Sequence, residues 1–192
     1  MHPDRAYTVA VPTLVYRLPP NLYIQRFSLS LKTGATDGLE ELNKQLAASG
    51  YERVSQVSQH GEFAVRGSLI DVYPTGSELP VRIDFFDDEI ASLRLFDPDT
   101  QLSNQAIPKI ATLPAREFPT DAAAITSFRN RYREYFEGNP ADSLIYTEVS
   151  EARFPGGVEN YLPLFFDATA TVWDYLPADC EVITIGDVEA EI

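Results

Sequence analysis

The clearest alternation in the chain is Val81-Arg82-Ile83-Asp84-Phe85-Phe86. A period of two belongs to a half-buried strand, in which side chains two apart share a face. Val81, Ile83 and Phe85 form a core face; Arg82, Asp84 and Phe86 form the other. Gly61, Gly67, Pro74-Thr75-Gly76 and Asp87-Asp88 punctuate the flanking sequence as turns. Between them the pattern predicts strands near 54–58, 62–66, 68–73, 81–86, 90–96 and 107–113. Within 62–66, Phe63 and Val65 share one face, and Ala64 and Arg66 the other.

Upstream, Thr8–Val11 and Leu14–Tyr16 read as a short apolar strand or tether closed by Pro19-Pro20. Residues 22–31 read as a strand, and 32–36 as a turn. Leu39, Leu42 and Leu46 recur at helical spacing, which predicts a helix over 37–49 with Asp37 as N-cap, Glu40 completing the capping box and Gly50 as stop. After a linker at 114–119, Thr120 or Asp121 caps a second helix to about Glu137, with Ile125, Phe128, Tyr132 and Phe136 on one face. Residues 143–152 suggest a third helix, stopped by Pro155-Gly156-Gly157. The remainder carries Tyr161–Phe166, Val172–Leu176 and a strand-like Glu181–Ile185. The expected class is α+β: a small, mostly antiparallel sheet domain with a covering helix, followed by a helix-rich second piece.

Composition narrows the function. The chain has 192 residues, 44% of them hydrophobic and 23% charged, so it can bury a core. Its formal net charge of −14 opposes broad binding to nucleic acid, whose affinity comes from many cation–phosphate contacts. Among its cations only Lys32, Lys44 and Lys109 are lysines. The others are arginines, the cation suited to bidentate contacts at interfaces. Cys180 is the single cysteine, which excludes an internal disulfide and fits a reducing cytoplasm. No apolar run reaches the length of a membrane span. The N-terminus lacks the layout of a signal peptide and opens inside what reads as structured sequence, as an excised fragment does.

Catalytic chemistry finds few candidates. There is no GxxxxGK[ST] loop, no GxGxxG and no GxSxG elbow. His2 and His60 are the only histidines, and His60 sits in a turn before Gly61. Asp84, Asp87, Asp88 and Glu89 form the best alternative, a carboxylate site for a divalent metal, although Asp87-Asp88 also suits a solvated hairpin turn. For the face carrying Arg82 and Phe86 two readings stand. In one, Arg82 pairs with Asp84 or a cross-strand acid and Phe86 tucks into a neighbouring loop. In the other, the face is a protein-binding patch, since arginine and aromatic anchors dominate interface energetics.

The run GEFAVRGSLIDVYPTGSELPVRIDFFDDEIASLRLFDPDTQ bears on this choice. Its motifs, G-x-F-x-x-R-G-x-x-[IL]-D-[IVL]-[FY]-P followed by R-[IVL]-[DE]-F-F-x-[DE]-E-I and R-x-F-D, resemble a segment shared by bacterial transcription-repair coupling factors and the excinuclease subunit UvrB. SELPVRIDFFDDEI, LPAREFPTD and the later PLFF are more similar to the coupling factors. The resemblance implies a tail of domain 1A or tether over 1–27, a UvrA-binding domain 2 over 28–114 and a domain 1B-like segment over 115–192. It also implies a protein-recruitment module whose UvrA-contacting residues are Arg66 of F-x-x-R-G, Arg82 of P-x-R-[IVL] and Phe86 of D-F-F. A further implied partner is the C-terminal domain of the full-length protein, which masks this surface. The full-length family is an ATP-driven DNA translocase, so ATP and magnesium belong elsewhere and this chain is expected to be non-catalytic. A corresponding piece of UvrB and a purely structural spacer are the alternatives.

Overall fold

The computed structural model describes residues 8–183 and 185. Residues 24–119 form one compact unit. The described residues before Ile24 join those from Thr120 onward in a second.

The first unit is built on a six-stranded sheet. Its strands are β2 (Glu52–Arg53), β3 (Glu62–Arg66), β4 (Leu69–Val72), β5 (Val81–Phe86), β6 (Glu89–Phe96) and β7 (Ser103–Ile107), in that spatial order. Every pairing is antiparallel except the short parallel contact of β2 with β3. A separate two-stranded ribbon pairs β1 (Leu29–Lys32) with β8 (Lys109–Thr112). The helix α2 (Leu39–Ala48) supplies the apolar stripe that covers the sheet.

Register makes the inner face continuous. Phe63, Val72, Val81 and Leu95 lie opposite one another across β3 to β6, and Val65, Ile70, Ile83 and Leu93 form the next row. These residues pack with Leu42 and Leu46 of α2, both fully buried. Such side chains contribute about 1.5–3 kcal/mol each by leaving water. At the end of β5 a bulge in β6 leaves Ala91 without a cross-strand partner, because Asp84 pairs with Ser92 and Phe85 with Ile90. The shift keeps Phe85 in the core and turns Phe86 to the other face.

Several local expectations are corrected. The predicted strand over 22–31 begins instead as the helix α1 (Asn21–Phe27) and becomes strand only at Leu29. Tyr23 and Phe27 are a helical turn apart, and Tyr23 is buried, so helical spacing decides this short segment. Asp37 does not cap α2. The N-cap is Gly38 at φ 72°, whose N–H donates to the Asp88 carbonyl at 3.1 Å. That positive φ favours glycine, and a Cβ there would stand 3.3 Å from the Asp88 carboxylate. Gly50, at φ 84°, does follow the helix end. Residues 54–58 form a loop rather than a strand, and the polar edge strand β7 falls where none was expected.

In the second unit, α3 (Ala122–Tyr135) is capped by Asp121, whose Oδ1 accepts from the Ala124 N–H at 2.9 Å. The helix α4 (Leu144–Ser150) is capped by Ser143. Phe128 and Tyr132 are buried and meet Tyr146, Tyr161 and Phe165 in an aromatic core. A 3-10 helix over Val158–Leu164 and α5 (Val172–Tyr175) follow. Near the start, Val11–Val15 is a 3-10 helix and Leu18 bridges to Ala170. In the strand-like 181–185, residues 181–183 and 185 are irregular; Thr184 lies outside the described residues.

Candidate functional site

The outer face of the six-stranded sheet changes character along its length. At one end Ala64, Tyr73 and Phe96 pack with Val57 of the 54–60 loop as a small second core. Next comes a row that runs across four strands: Ala64 on β3, Asp71 on β4, Arg82 on β5 and Arg94 on β6. The following row holds Arg66, Leu69, Asp84 and Ser92. Beyond it Phe86 lies opposite Glu89 beside the hairpin turn.

Asp71 organises the middle of this face. An acid in the interior of a buried strand must be paired, because an isolated carboxylate out of water is costly. Its side chain is 1% exposed, and it accepts from both arginines singled out by the sequence. Arg82 binds it in a two-pronged fashion, Nε to Oδ1 at 2.7 Å and Nη2 to Oδ2 at 2.9 Å. Arg66 Nη2 donates to the same Oδ2 at 2.5 Å. Arg82 is further fixed by its Nη1, which donates to the Gln101 carbonyl at 3.3 Å and to Ser103 Oγ at 3.4 Å. Its guanidinium lies 4.8 Å from the Phe96 ring centroid, a cation–π contact. The hydrogen bond with Asp71 raises the Arg82 pKa above its ordinary value, with burial opposing.

Arg66 and Arg82 therefore converge on one carboxylate, and the pairing of Arg82 with a cross-strand acid is realised through Asp71 rather than Asp84. Phe86 is not tucked into a loop. It is 75% exposed at the end of the same face. Arg94 is a residue that sequence reasoning did not single out. It is exposed and directly opposite Arg82. Its presence in the R-x-F-D motif was the only available signal, since its neighbours depend on register.

The carboxylate alternative gains no support from geometry. Asp87 and Asp88 are exposed in the β5–β6 turn, with Asp87 at φ 52°. Among the described residues no three His, Cys, Asp or Glu side chains converge as a metal site requires. His60 Nε2 is 2.8 Å from the Ser77 carbonyl, and its ring packs at a tilt against Tyr73 with centroids 4.0 Å apart, a local packing role. No helix among the described residues is long and apolar enough to cross a membrane. In the second unit a depression of about 550 Å³ is lined by Arg17, Arg131, Tyr135, Phe136 and Asp167 among others, and Arg131 there pairs with Asp167.

Comparison with known proteins gives the first unit a class. Residues 29–118 match the family described as the UvrB interaction domain, a span that contains every strand of the first unit. The chain is 44% identical over 182 residues to the transcription-repair-coupling factor of Escherichia coli K12, which covers 94% of this chain and 16% of that protein. It is 30% identical to the Bacillus subtilis coupling factor, over 96% of this chain and 17% of the relative. Against the UvrABC system protein B of Burkholderia mallei it is 32% identical, over 89% of this chain and 28% of that protein. The chain fits a fragment of a transcription-repair coupling factor and spans about one sixth of the length of those curated relatives.

Proposed function

We propose that the outer sheet face is a docking surface for UvrA, with Arg66, Arg82 and Phe86 as its anchors, and that the chain acts as a non-catalytic recruitment module in nucleotide excision repair. In the whole protein this module brings UvrA to sites of stalled polymerase in the cytoplasm, while ATP and magnesium act in other parts of that protein. The observation that carries the reading is the exposure of Phe86 at the end of an arginine-bearing face, inside a span that matches the UvrB interaction domain. Phenylalanine and arginine are enriched at interface cores, where an aromatic ring fills an apolar pocket and guanidinium groups meet acids.

The test is a calorimetric titration of UvrA with the wild-type chain and with Phe86→Ala. Truncating such an anchor costs about 2 kcal/mol, or roughly thirtyfold in affinity. Equal affinity of the two proteins would place UvrA elsewhere or nowhere on this chain.

A further inference from the structure

We propose that Arg94 is a further recognition residue of this face beside those anchors, and that it meets a carboxylate of the partner with donors of the kind that Arg82 has largely committed within the chain. This rests on the reading of the face as the UvrA site.

The inference follows from counting donors. A guanidinium carries five N–H groups and no acceptor. Arg82 directs its Nε, one Nη2 and its Nη1 side at Asp71, Gln101 and Ser103, and its side chain is only 22% exposed. Few of its donors are left for a partner. Arg66 uses one donor on Asp71 and is 46% exposed. Arg94 is exposed and makes no hydrogen bond or ion pair among the described residues, so its guanidinium donors are not committed within the chain.

Charge points the same way. Residues directly opposite in an antiparallel pair have Cβ atoms about 4.5–5.5 Å apart, and like charges there repel. The pair Arg82–Arg94 is tolerated because Asp71 neutralises Arg82 from the other side. What remains in that row is the positive charge of Arg94, on a chain whose net charge is −14. Its complement is an Asp or Glu side chain, which a free guanidinium grips with two parallel hydrogen bonds. At the Phe86 end, Asp84 and Glu89 share the face and form no ion pair among the described residues. They repel an acidic group there and so direct it toward Arg94. The footprint is an apolar pocket over Phe86 with a carboxylate placed two strand rows away.

The experiment titrates UvrA with the wild-type chain, Arg94→Ala, Arg94→Glu and Phe86→Ala at low and high salt, each variant first shown to melt like wild type. As a control, Lys109→Ala changes an exposed cation on the separate ribbon. We expect Arg94→Ala to lose about tenfold in affinity and part of the salt dependence, Arg94→Glu to lose more, and Lys109→Ala to match wild type. Arg94→Ala within twofold of wild type, with Phe86→Ala weakened, overturns the role of Arg94 and leaves the UvrA reading standing. A wild-type chain that does not bind UvrA overturns both.

Discussion

Replacing Asp71 with asparagine removes the charge at the centre of the outer face while keeping its shape. The amide offers one acceptor where the carboxylate offered two oxygens, and its NH₂ confronts guanidinium donors. Three charge-assisted hydrogen bonds are disturbed, two from Arg82 and one from Arg66. Removing one partner of a buried pair costs about 3–5 kcal/mol. Arg66 and Arg82 are partly exposed and recover some hydration, which favours the lower end, about 3 kcal/mol. The assay is hydrogen exchange of the β4 and β5 amides, which reports the opening of this unit alone. An exchange acceleration on the order of a hundredfold follows from that energy. A second variant isolates the cause. Asp71→Leu combined with Arg82→Met removes the pair as a unit, and exchange in the double variant should be slower than in Asp71→Leu alone. Exchange in Asp71→Asn within threefold of wild type would refute the view that this carboxylate holds the two arginines in place.

Phe86→Ala should leave stability within about 0.5 kcal/mol, since the ring is exposed, while UvrA affinity falls; urea melts beside the titration separate the two effects. Leu46→Ala opens a cavity between α2 and the sheet and should destabilise by about 2–5 kcal/mol in the same melts. Hydrogen bonds from Thr100 hold the Asp97 carboxyl below its ordinary pKa in the turn that carries Gln101. A depressed carboxylate stabilises the fold above its unfolded pKa, and that contribution disappears as pH falls through its folded value. Stability measured against pH should therefore fall less steeply on the acid side for Asp97→Asn than for wild type. Masking of the face by a C-terminal domain predicts tighter UvrA binding by this chain than by a full-length coupling factor, read by calorimetry on both.

The core of the first unit was legible because its periods are clean. The alternation of β5 and the leucine stripe of α2 each match one face, and burial agrees with both. Elements decided by tertiary contact were not legible. The segment 21–27 is a short helix that Tyr23 burial helps to fix, and Val54 and Val57 look like strand residues yet serve as a loop capping one end of the outer face. β7, with its serine, asparagine and glutamine, has the composition of a loop and becomes a strand only by pairing with β6. For the site, alternation placed Arg82 and Phe86 on one face, and resemblance added Arg66. The meeting of Arg66 with Arg82 required register, because it runs through Asp71 on the intervening strand. An acid between Ile70 and Val72 was the available clue, since such a residue needs a cationic partner. Arg94 carried no comparable clue.

The most direct measurement places a photoreactive benzoylphenylalanine at position 86 and, in a second protein, at the exposed Tyr135 of the other unit, then irradiates each with UvrA. Docking through the outer sheet face predicts an efficient cross-link from position 86, competed away by unlabelled wild-type chain, and little from position 135. A competable cross-link from position 135 with none from position 86 would contradict it.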